Sequence, residues 1–123
     1  MNKKSVLIIE DEPALVEMYQ KKFKDAKYTV YTASDGITAE KLALEKKPSA
    51  MLIDLFIPQK DGVALLESLR PKLPDSKLII ATNLDQPGKE AETRSKGADG
   101  FILKAKYLPS ELVKIVDDML AAK

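Results

Sequence analysis

Chemically reactive side chains follow four of the five short apolar runs in this 123-residue chain. They are carboxylates, a hydroxyl, an amide and an amine, which are the groups that hold cations and stabilise anions in proteins. In chain order they are Glu10, Asp11, Glu12, Asp54, Thr82, Asn83 and Lys104. The pattern raises the question of whether these side chains meet at one site.

Asp54 is the most informative of them because it lies in an otherwise apolar segment, between Ile53 and Leu55. A buried charge persists when it is paired, metal-bound or functional. Two carboxylates about 4 Å apart repel each other by roughly 4 kcal/mol at an effective dielectric constant of about 20, so gathering Glu10 or Asp11 beside Asp54 requires cations. A lysine supplies one positive charge, and a hard divalent ion with oxygen ligands, such as Mg²⁺, supplies the rest.

The remaining polar residues have ordinary explanations when each is taken alone. Glu12 complements the positive end of a following helix, Thr82 is a hydroxyl at the end of a strand, and Lys104 is a surface lysine. Together with the carboxylates and a metal ion, however, a hydroxyl and an amine complete the set of groups that phosphoryl transfer needs. The combination therefore predicts a phosphoryl-transfer site.

The composition excludes several other kinds of chemistry. The chain has no cysteine and no histidine, so disulfides, thiolate or histidine metal sites, a cysteine nucleophile and a Ser-His-Asp triad are excluded. Its 20 basic and 19 acidic residues leave a net charge of +1, so no overall field attracts nucleic acid or an anionic membrane. The first apolar run, near the start of the chain, is interrupted by the acidic residues 10–12 and is too short for a signal peptide. No apolar run approaches the roughly 18 residues that a membrane helix needs. We expect a cytoplasmic protein without membrane insertion or direct contact with nucleic acid.

Five short apolar runs alternate with segments of helical periodicity. Four of the runs are continuously apolar, as in strands that are buried on both faces of a parallel sheet. The run at 29–33 contains hydroxyl side chains and suits an edge strand. The predicted strands are Val6–Ile9, Thr29–Ala33, Ala50–Ile53, Leu78–Ala81 and Phe101–Leu103.

Four of the helical segments have apolar residues at helical spacing. These helices are predicted to begin near Pro13, near Ile37, at Gly62 after an Asp61 N-cap, and near Pro109. The segment 86–96 has almost no apolar residue, so it is predicted to be either a short solvated helix or loop, or a mobile surface that switches. The alternation predicts a doubly wound α/β fold in one domain, residues 1–123, whose strand ends gather the polar residues at one edge.

In their order and spacing, these motifs resemble the receiver domain of response regulators, the phosphoacceptor module of two-component signalling, in its chemotaxis-regulator-like single-domain form. The resemblance covers essentially the whole chain. The segments that carry it are Val6–Glu12, Asp54–Gly62, Ile79–Thr82 and Gly97–Lys104. It implies a flavodoxin-like fold with five helices and a five-stranded parallel sheet in the order 2-1-3-4-5.

The resemblance also implies a role for each site residue. Asp54 would accept a phosphoryl group from a sensor histidine kinase or a phosphotransfer protein, and Thr82 and Lys104 would contact the phosphoryl oxygens. The implied ligands of Mg²⁺ or Mn²⁺ are Glu10, Asp11, Asp54 and the backbone carbonyl of Phe56. Phe101 would turn inward as Thr82 moves, switching a surface for an unknown output protein. Such a domain is not a conventional enzyme, because it catalyses only its own phosphorylation and dephosphorylation.

A few positions depart from the family pattern or vary within it. Ala105 stands where these domains typically have a proline after a cis peptide bond, so we predict a trans bond before Ala105 and a rerouted loop. Asn83 is larger than the residue that usually follows the hydroxyl, and Glu10 is one methylene longer than the commoner aspartate. Phe56 and Leu84, both apolar, lie two residues after the nucleophile and the hydroxyl, and we predict that they slow dephosphorylation by hindering the attacking water.

Three other classes of protein share parts of this pattern. A flavodoxin-like nucleotide or FMN binder needs small residues around a phosphate after the first strand, where this chain has Glu-Asp-Glu-Pro at 10–13. A phosphatase with an aspartate nucleophile needs a second acid two residues after Asp54, where Phe56 stands. A pseudo-receiver, which binds partners without being phosphorylated, lacks a site residue, and none is missing here. We expect the chain to act through protein contacts, either alone or as part of a larger regulator.

Overall fold

The computed structural model describes residues 4–83 and 86–122, which fold around a five-stranded parallel sheet. The strands are β1 (Ser5–Ile9), β2 (Thr29–Ala33), β3 (Ala50–Ile53), β4 (Lys77–Thr82) and β5 (Gly100–Leu103). Their order is β2-β1-β3-β4-β5, and every neighbouring pair is parallel. The predicted doubly wound fold and the strand order implied by the resemblance are therefore confirmed, and β2, with its hydroxyl side chains, is an edge strand as expected.

Five α-helices connect or follow the strands within the described ranges. They are α1 (Pro13–Asp25), α2 (Gly36–Lys46), α3 (Gly62–Leu69), α4 (Lys89–Ser95) and α5 (Pro109–Ala121). Asp35 caps α2 by accepting a 2.7 Å hydrogen bond from the Thr38 N–H, and Asp61 caps α3 in the predicted way, at 2.9 Å from the Ala64 nitrogen. In this part of the chain no helix is both long and apolar enough to cross a membrane.

Two apolar clusters fill the space between the sheet and the helices on its two faces. Helices α2 and α3 cover one cluster, and helices α1 and α5 cover the other. Strand β1 contributes to both, because successive side chains of a strand point to opposite faces: Leu7 and Ile9 join the first cluster, Val6 and Ile8 the second. Burial on both faces explains why this run is apolar at every position.

Helix α4 is short and exposed, which agrees with the short solvated helix that was one of the alternatives predicted for segment 86–96. It is seven residues long and starts after Gly88, whose φ of +81° suits glycine. Thr93 is its buried residue, and the Thr93 hydroxyl donates to the carbonyl oxygens of Lys89 and Glu90 at 3.0 and 3.1 Å. The one buried side chain of α4 is therefore polar, and its hydroxyl forms hydrogen bonds within the helix itself. Apolar packing contributes little to holding α4 on the sheet.

The connection from β5 to α5 carries the departure from the family pattern at Ala105. The peptide bond between Lys104 and Ala105 is trans, as predicted. Lys104–Lys106 form a single 3₁₀ turn before α5 begins. This turn keeps Lys104 buried at the carboxyl end of the sheet.

Candidate functional site

The carboxylates of Glu10, Asp11 and Asp54 form a cluster at the carboxyl ends of β1 and β3. These strands are neighbours, with Ile9 opposite Ile53, so the residues that follow them meet at one edge. One oxygen from each carboxylate lies within 4.8 Å of the others. Glu10 is buried, the Asp54 side chain is 13% exposed, and Asp11 faces solvent. Three carboxylate oxygens at this spacing fit a hard divalent cation such as Mg²⁺.

Lys104 brings an amine to this cluster from the turn that follows the edge strand β5. Its Nζ lies 3.2 Å from Oδ2 of Asp54 and also donates a hydrogen bond to Oε1 of Glu10. Its side chain is only 5% exposed. The ammonium therefore bridges two carboxylates, which offsets part of their mutual repulsion.

Burial and the neighbouring opposite charges shift the pKa values of Glu10 and Lys104 in opposite directions. Burial raises the pKa of Glu10, while the Lys104 ammonium and a 3.2 Å hydrogen bond from the Glu12 N–H oppose that rise. Burial by itself lowers the pKa of Lys104, but the Glu10 and Asp54 carboxylates outweigh burial, so its pKa lies above the ordinary value. Lys104 consequently stays charged at neutral pH and can stabilise an anion that arrives at Asp54.

The loop after β3 fixes the orientation of Asp54. Oδ1 of Asp54 accepts a 3.2 Å hydrogen bond from the Phe56 N–H, and its backbone N–H donates to the Ile9 carbonyl at 3.2 Å. The first residue of α3, Gly62, packs so closely that a Cβ there would lie 2.6 Å from the Asp54 carbonyl oxygen. Phe56 itself is half exposed. Each oxygen of Asp54 thus has a partner, and the backbone around it is tightly packed.

Thr82 and Phe101 lie on neighbouring strands at the same end of the sheet. Thr82 is buried at the end of β4, opposite Leu103. Phe101, two residues earlier on β5, shares a face of the sheet with Thr82 and packs partly buried against the cluster under α2 and α3. Asn83 is exposed, and Leu84 lies outside the described residues.

Tyr19 belongs to the surroundings of the site, although its position in the sequence does not indicate this. Its ring lines a small cavity beneath the site together with Glu10, Asp54 and Lys104. Burial raises the pKa of its hydroxyl group. In the sequence Tyr19 is one of the regularly spaced apolar residues of α1, which indicate a core position and nothing more. Only the packing of α1 on the sheet reveals the contact.

Comparison with known proteins relates most of the chain to one family. Residues 6–117 match the family model described as "Response regulator receiver domain". The "Alkaline phosphatase synthesis transcriptional regulatory protein PhoP" of Bacillus subtilis is 32% identical over 112 residues, which are 91% of this chain and 46% of that protein. The "Chemotaxis protein CheY" of Listeria monocytogenes is 31% identical over 100 residues, 80% of this chain and 84% of that protein. The chain spans about half the length of the transcription regulators that it matches and most of the length of CheY.

Solved structures share the fold. A DNA-binding response regulator of the LuxR family from Staphylococcus aureus superposes with a TM-score of 0.87 at 26% identity, covering 95% of this chain and 98% of that one. A CheY-like response regulator receiver domain protein from Methanospirillum hungatei reaches 0.91 at 22% identity, covering 98% and 95%. At 22% identity, the likeness to the Methanospirillum hungatei protein shows only that the two chains share a fold.

Proposed function

Because this chain belongs to the response regulator receiver family, we propose that it accepts a phosphoryl group on Asp54 in a metal-dependent reaction and thereby switches a protein-binding surface. The observation that carries the proposal is the cluster of three carboxylate oxygens within 4.8 Å, with the Lys104 ammonium 3.2 Å from Asp54. A nucleophile, a place for a cation and a fixed positive charge lie together at the edge where ligands of parallel α/β sheets bind. The domain is a component of a signalling regulator and not a conventional enzyme.

The donor set suits Mg²⁺ or Mn²⁺. The proposed ligands are Glu10, Asp11, Asp54 and the backbone carbonyl oxygen of Phe56. All are oxygen atoms, the ligands that hard divalent cations take, and water and phosphate oxygens would complete the coordination. A bound ion would neutralise the carboxylates and the charge on the phosphoryl oxygens. The exposed Asp11 leaves one side of the cluster open to solvent.

The chain's own residues account for the transfer. A carboxylate oxygen of Asp54 forms a bond to phosphorus while the bond from phosphorus to the donor's histidine nitrogen breaks, and the electron pair returns to that nitrogen. Lys104 is close enough to Asp54 to stabilise negative charge on the transferred group. The Thr82 hydroxyl, at the end of the adjacent strand, would donate a hydrogen bond to another phosphoryl oxygen. The product is an aspartyl phosphate.

The proposed switch follows from the added charge. Phosphorylation adds about −1.5 to −2 charges and new hydrogen-bond acceptors, which would draw Thr82 and Lys104 toward Asp54. Phe101, on the same face as Thr82, would then turn inward and change the surface formed by α4, β5 and α5. The weak anchoring of α4 through Thr93 supports this proposal, because little packing would have to be broken for α4 to move.

The proposed partners are proteins. A sensor histidine kinase or a phosphotransfer protein would supply the phosphoryl group, and an output protein would recognise the switched surface. We propose that residues 1–123 form one receiver domain. The matched transcription regulators are about twice as long as this chain, so we propose no transcriptional role for it. Its net charge of +1 also provides no overall attraction to nucleic acid.

Intact mass spectrometry tests the proposed function directly. The folded protein is incubated with Mg²⁺ and acetyl phosphate, beside Asp54→Asn and a matched control, Asp75→Asn. Asp75 is exposed and precedes β4, at the opposite edge of the sheet from the site. We expect wild type and Asp75→Asn to gain the mass of one phosphoryl group, and Asp54→Asn or added EDTA to abolish the gain. Folded wild-type protein that gains no mass would contradict the proposal and point to a pseudo-receiver.

A further inference from the structure

The loop between Asp54 and Gly62 is fastened to the first turn of α2 through its backbone. The Gly36 N–H donates a 3.0 Å hydrogen bond to the Pro58 carbonyl oxygen. The contact is so close that a Cβ on Gly36 would lie 2.0 Å from the carbonyl oxygen of Lys60. Helix α2 therefore forms a wall against which the loop is pressed.

A side-chain network reinforces this contact. The ammonium of Lys60, in the loop, lies 3.0 Å from Oε1 of Glu40, one helical turn into α2. The other carboxylate oxygen of Glu40 accepts a hydrogen bond from the hydroxyl of Ser68 on α3. The side chains of Lys60 and Glu40 are only 28% and 24% exposed. Glu40 thus ties together the loop and the helices on both sides of it.

The charge state of Glu40 is consistent with this role. The hydrogen bond from Ser68, followed by that from Lys60, holds the pKa of Glu40 below its ordinary value. The ordinary surface ion pairs of this protein are different in kind. Lys21 and Asp25, for example, are 73% and 58% exposed and belong to the same helix. A pair of that kind contributes little, whereas the Glu40 network fixes the position of a loop.

That loop carries the proposed metal ligand. Phe56 lies between Asp54, whose Oδ1 accepts its N–H, and the fastened residues Pro58 and Lys60. The turn from Pro58 to Lys60 is tight: the Lys60 N–H donates a 2.9 Å hydrogen bond to the Pro58 carbonyl oxygen, and Gln59 between them has a φ of +77°. With both ends held, the backbone at Phe56 has little freedom.

We propose that Glu40 is a positioning residue that, through Lys60 and Ser68, holds the Asp54–Gly62 loop ready to present the Phe56 carbonyl to the metal ion. This inference rests on the proposed function, since it assigns a role in metal binding. The physical reason is pre-organisation: a loop that is ordered before binding does not lose conformational freedom when the ligand arrives. Groups that orient metal ligands from outside the coordination sphere typically change affinity by about 10- to 100-fold.

The experiment compares Mg²⁺ affinity and loop order in matched variants. Glu40→Gln and Lys60→Met remove the ion pair, and Glu45→Gln is the control, because it makes the same change on α2 in a carboxylate that pairs with its neighbour Lys46. Affinity is measured by NMR titration with Mg²⁺, and loop order by amide exchange at Phe56, Ile57, Gln59 and Lys60 in metal-free protein. We expect the first two variants to bind Mg²⁺ about tenfold more weakly and to exchange faster in the loop. Glu45→Gln should match wild type.

A charge swap separates positioning from general destabilisation. The double variant Glu40→Lys with Lys60→Glu rebuilds the ion pair, and the Ser68 hydroxyl can accept from the new lysine, so affinity should return to within about threefold of wild type. Unchanged affinity in Glu40→Gln, or an equal loss in Glu45→Gln, would overturn the proposal. If wild-type protein binds no Mg²⁺, the proposed function fails, and amide exchange in the metal-free loop then decides whether Glu40 orders it.

Discussion

The ammonium nitrogen of Lys104 lies 3.2 Å from Oδ2 of Asp54, although 50 positions separate the two residues in the chain. The same nitrogen also donates to Glu10, which is buried with it. A single amine shared by two carboxylates limits the electrostatic cost of holding both at one sheet edge. The ion pair therefore links the stability of the fold to the chemistry of the site.

Replacing Lys104 with methionine should lower the free energy of unfolding by about 3 kcal/mol at pH 7 in the absence of Mg²⁺. The reason is that the buried Glu10 carboxylate would lose its counter-ion, and its repulsion with the adjacent Asp54 would no longer be offset. Urea unfolding followed by circular dichroism measures the change. Lys114→Met, which removes an exposed lysine paired with Asp118, is the matched control and should leave the stability nearly unchanged.

The loss of stability in Lys104→Met should depend on pH. Burial raises the pKa of Glu10 above 4.5, so protonation favours the folded variant, and its stability should recover as the pH falls from 7 toward about 5. In wild type the pKa of Lys104 is raised above 10.5, so its contribution is present throughout this range and is lost only at more alkaline pH. The difference between the proteins should therefore shrink toward pH 5. A constant difference would contradict the electrostatic explanation.

Phe56→Asn should shorten the lifetime of the phosphorylated protein about tenfold. The exposed Phe56 ring, two residues after Asp54, offers no hydrogen bond to an attacking water molecule, whereas an amide does. One such bond is worth about 1.4 kcal/mol, which corresponds to a factor of ten in rate. Loss of the phosphoryl mass with time is the measurement, and Phe56→Leu, which stays apolar, should decay like wild type. An unchanged lifetime in Phe56→Asn would show that this side chain does not control hydrolysis.

Gly62→Ala should slow phosphorylation by acetyl phosphate at least about tenfold, because small displacements of reacting groups have large kinetic effects. A Cβ at Gly62 would lie 2.6 Å from the Asp54 carbonyl oxygen and 2.8 Å from the Leu55 Cα, so the backbone that carries the nucleophile has to shift. The control is Gly88→Ala, where an added Cβ meets no atom within 4 Å but a φ of +81° strains the backbone. It should cost stability and leave the rate unchanged. Equal rates in Gly62→Ala and wild type would contradict the tight-packing argument.

Amides of α4 should exchange about tenfold or more faster than those of α5, and their exchange should change on phosphorylation. Helix α4 is anchored by the single buried side chain of Thr93, whereas α5 buries Leu112, Val113 and Val116. Hydrogen exchange followed by mass spectrometry before and after treatment with acetyl phosphate tests this. High protection throughout α4 that phosphorylation leaves unaltered would contradict its role in the switch.

Local patterns in the sequence were sufficient to predict most elements of the fold. Continuous apolar runs such as Val6–Ile9 identify strands buried on both faces, and the capping role of Asp61 was visible in the residues before an apolar stripe. The meeting of Glu10 with Asp54 also followed from the sequence, because the carboxyl ends of parallel strands share one edge. Strand order did not follow from periodicity and came from the family resemblance, since pairing between distant strands leaves no local pattern.

Only the tertiary structure decided which side chains share partners across elements. The sequence predicted that Lys104 brings a positive charge to the carboxylates, but not that its single amine contacts both Glu10 and Asp54. Tyr19 looks like any other core residue of a helix. The bonds from Lys60 and Ser68 to one carboxylate on α2 are equally invisible in the sequence. The physical reason is that periodicity records which face of an element is buried, whereas a contact between elements depends on how whole helices and loops pack on the sheet.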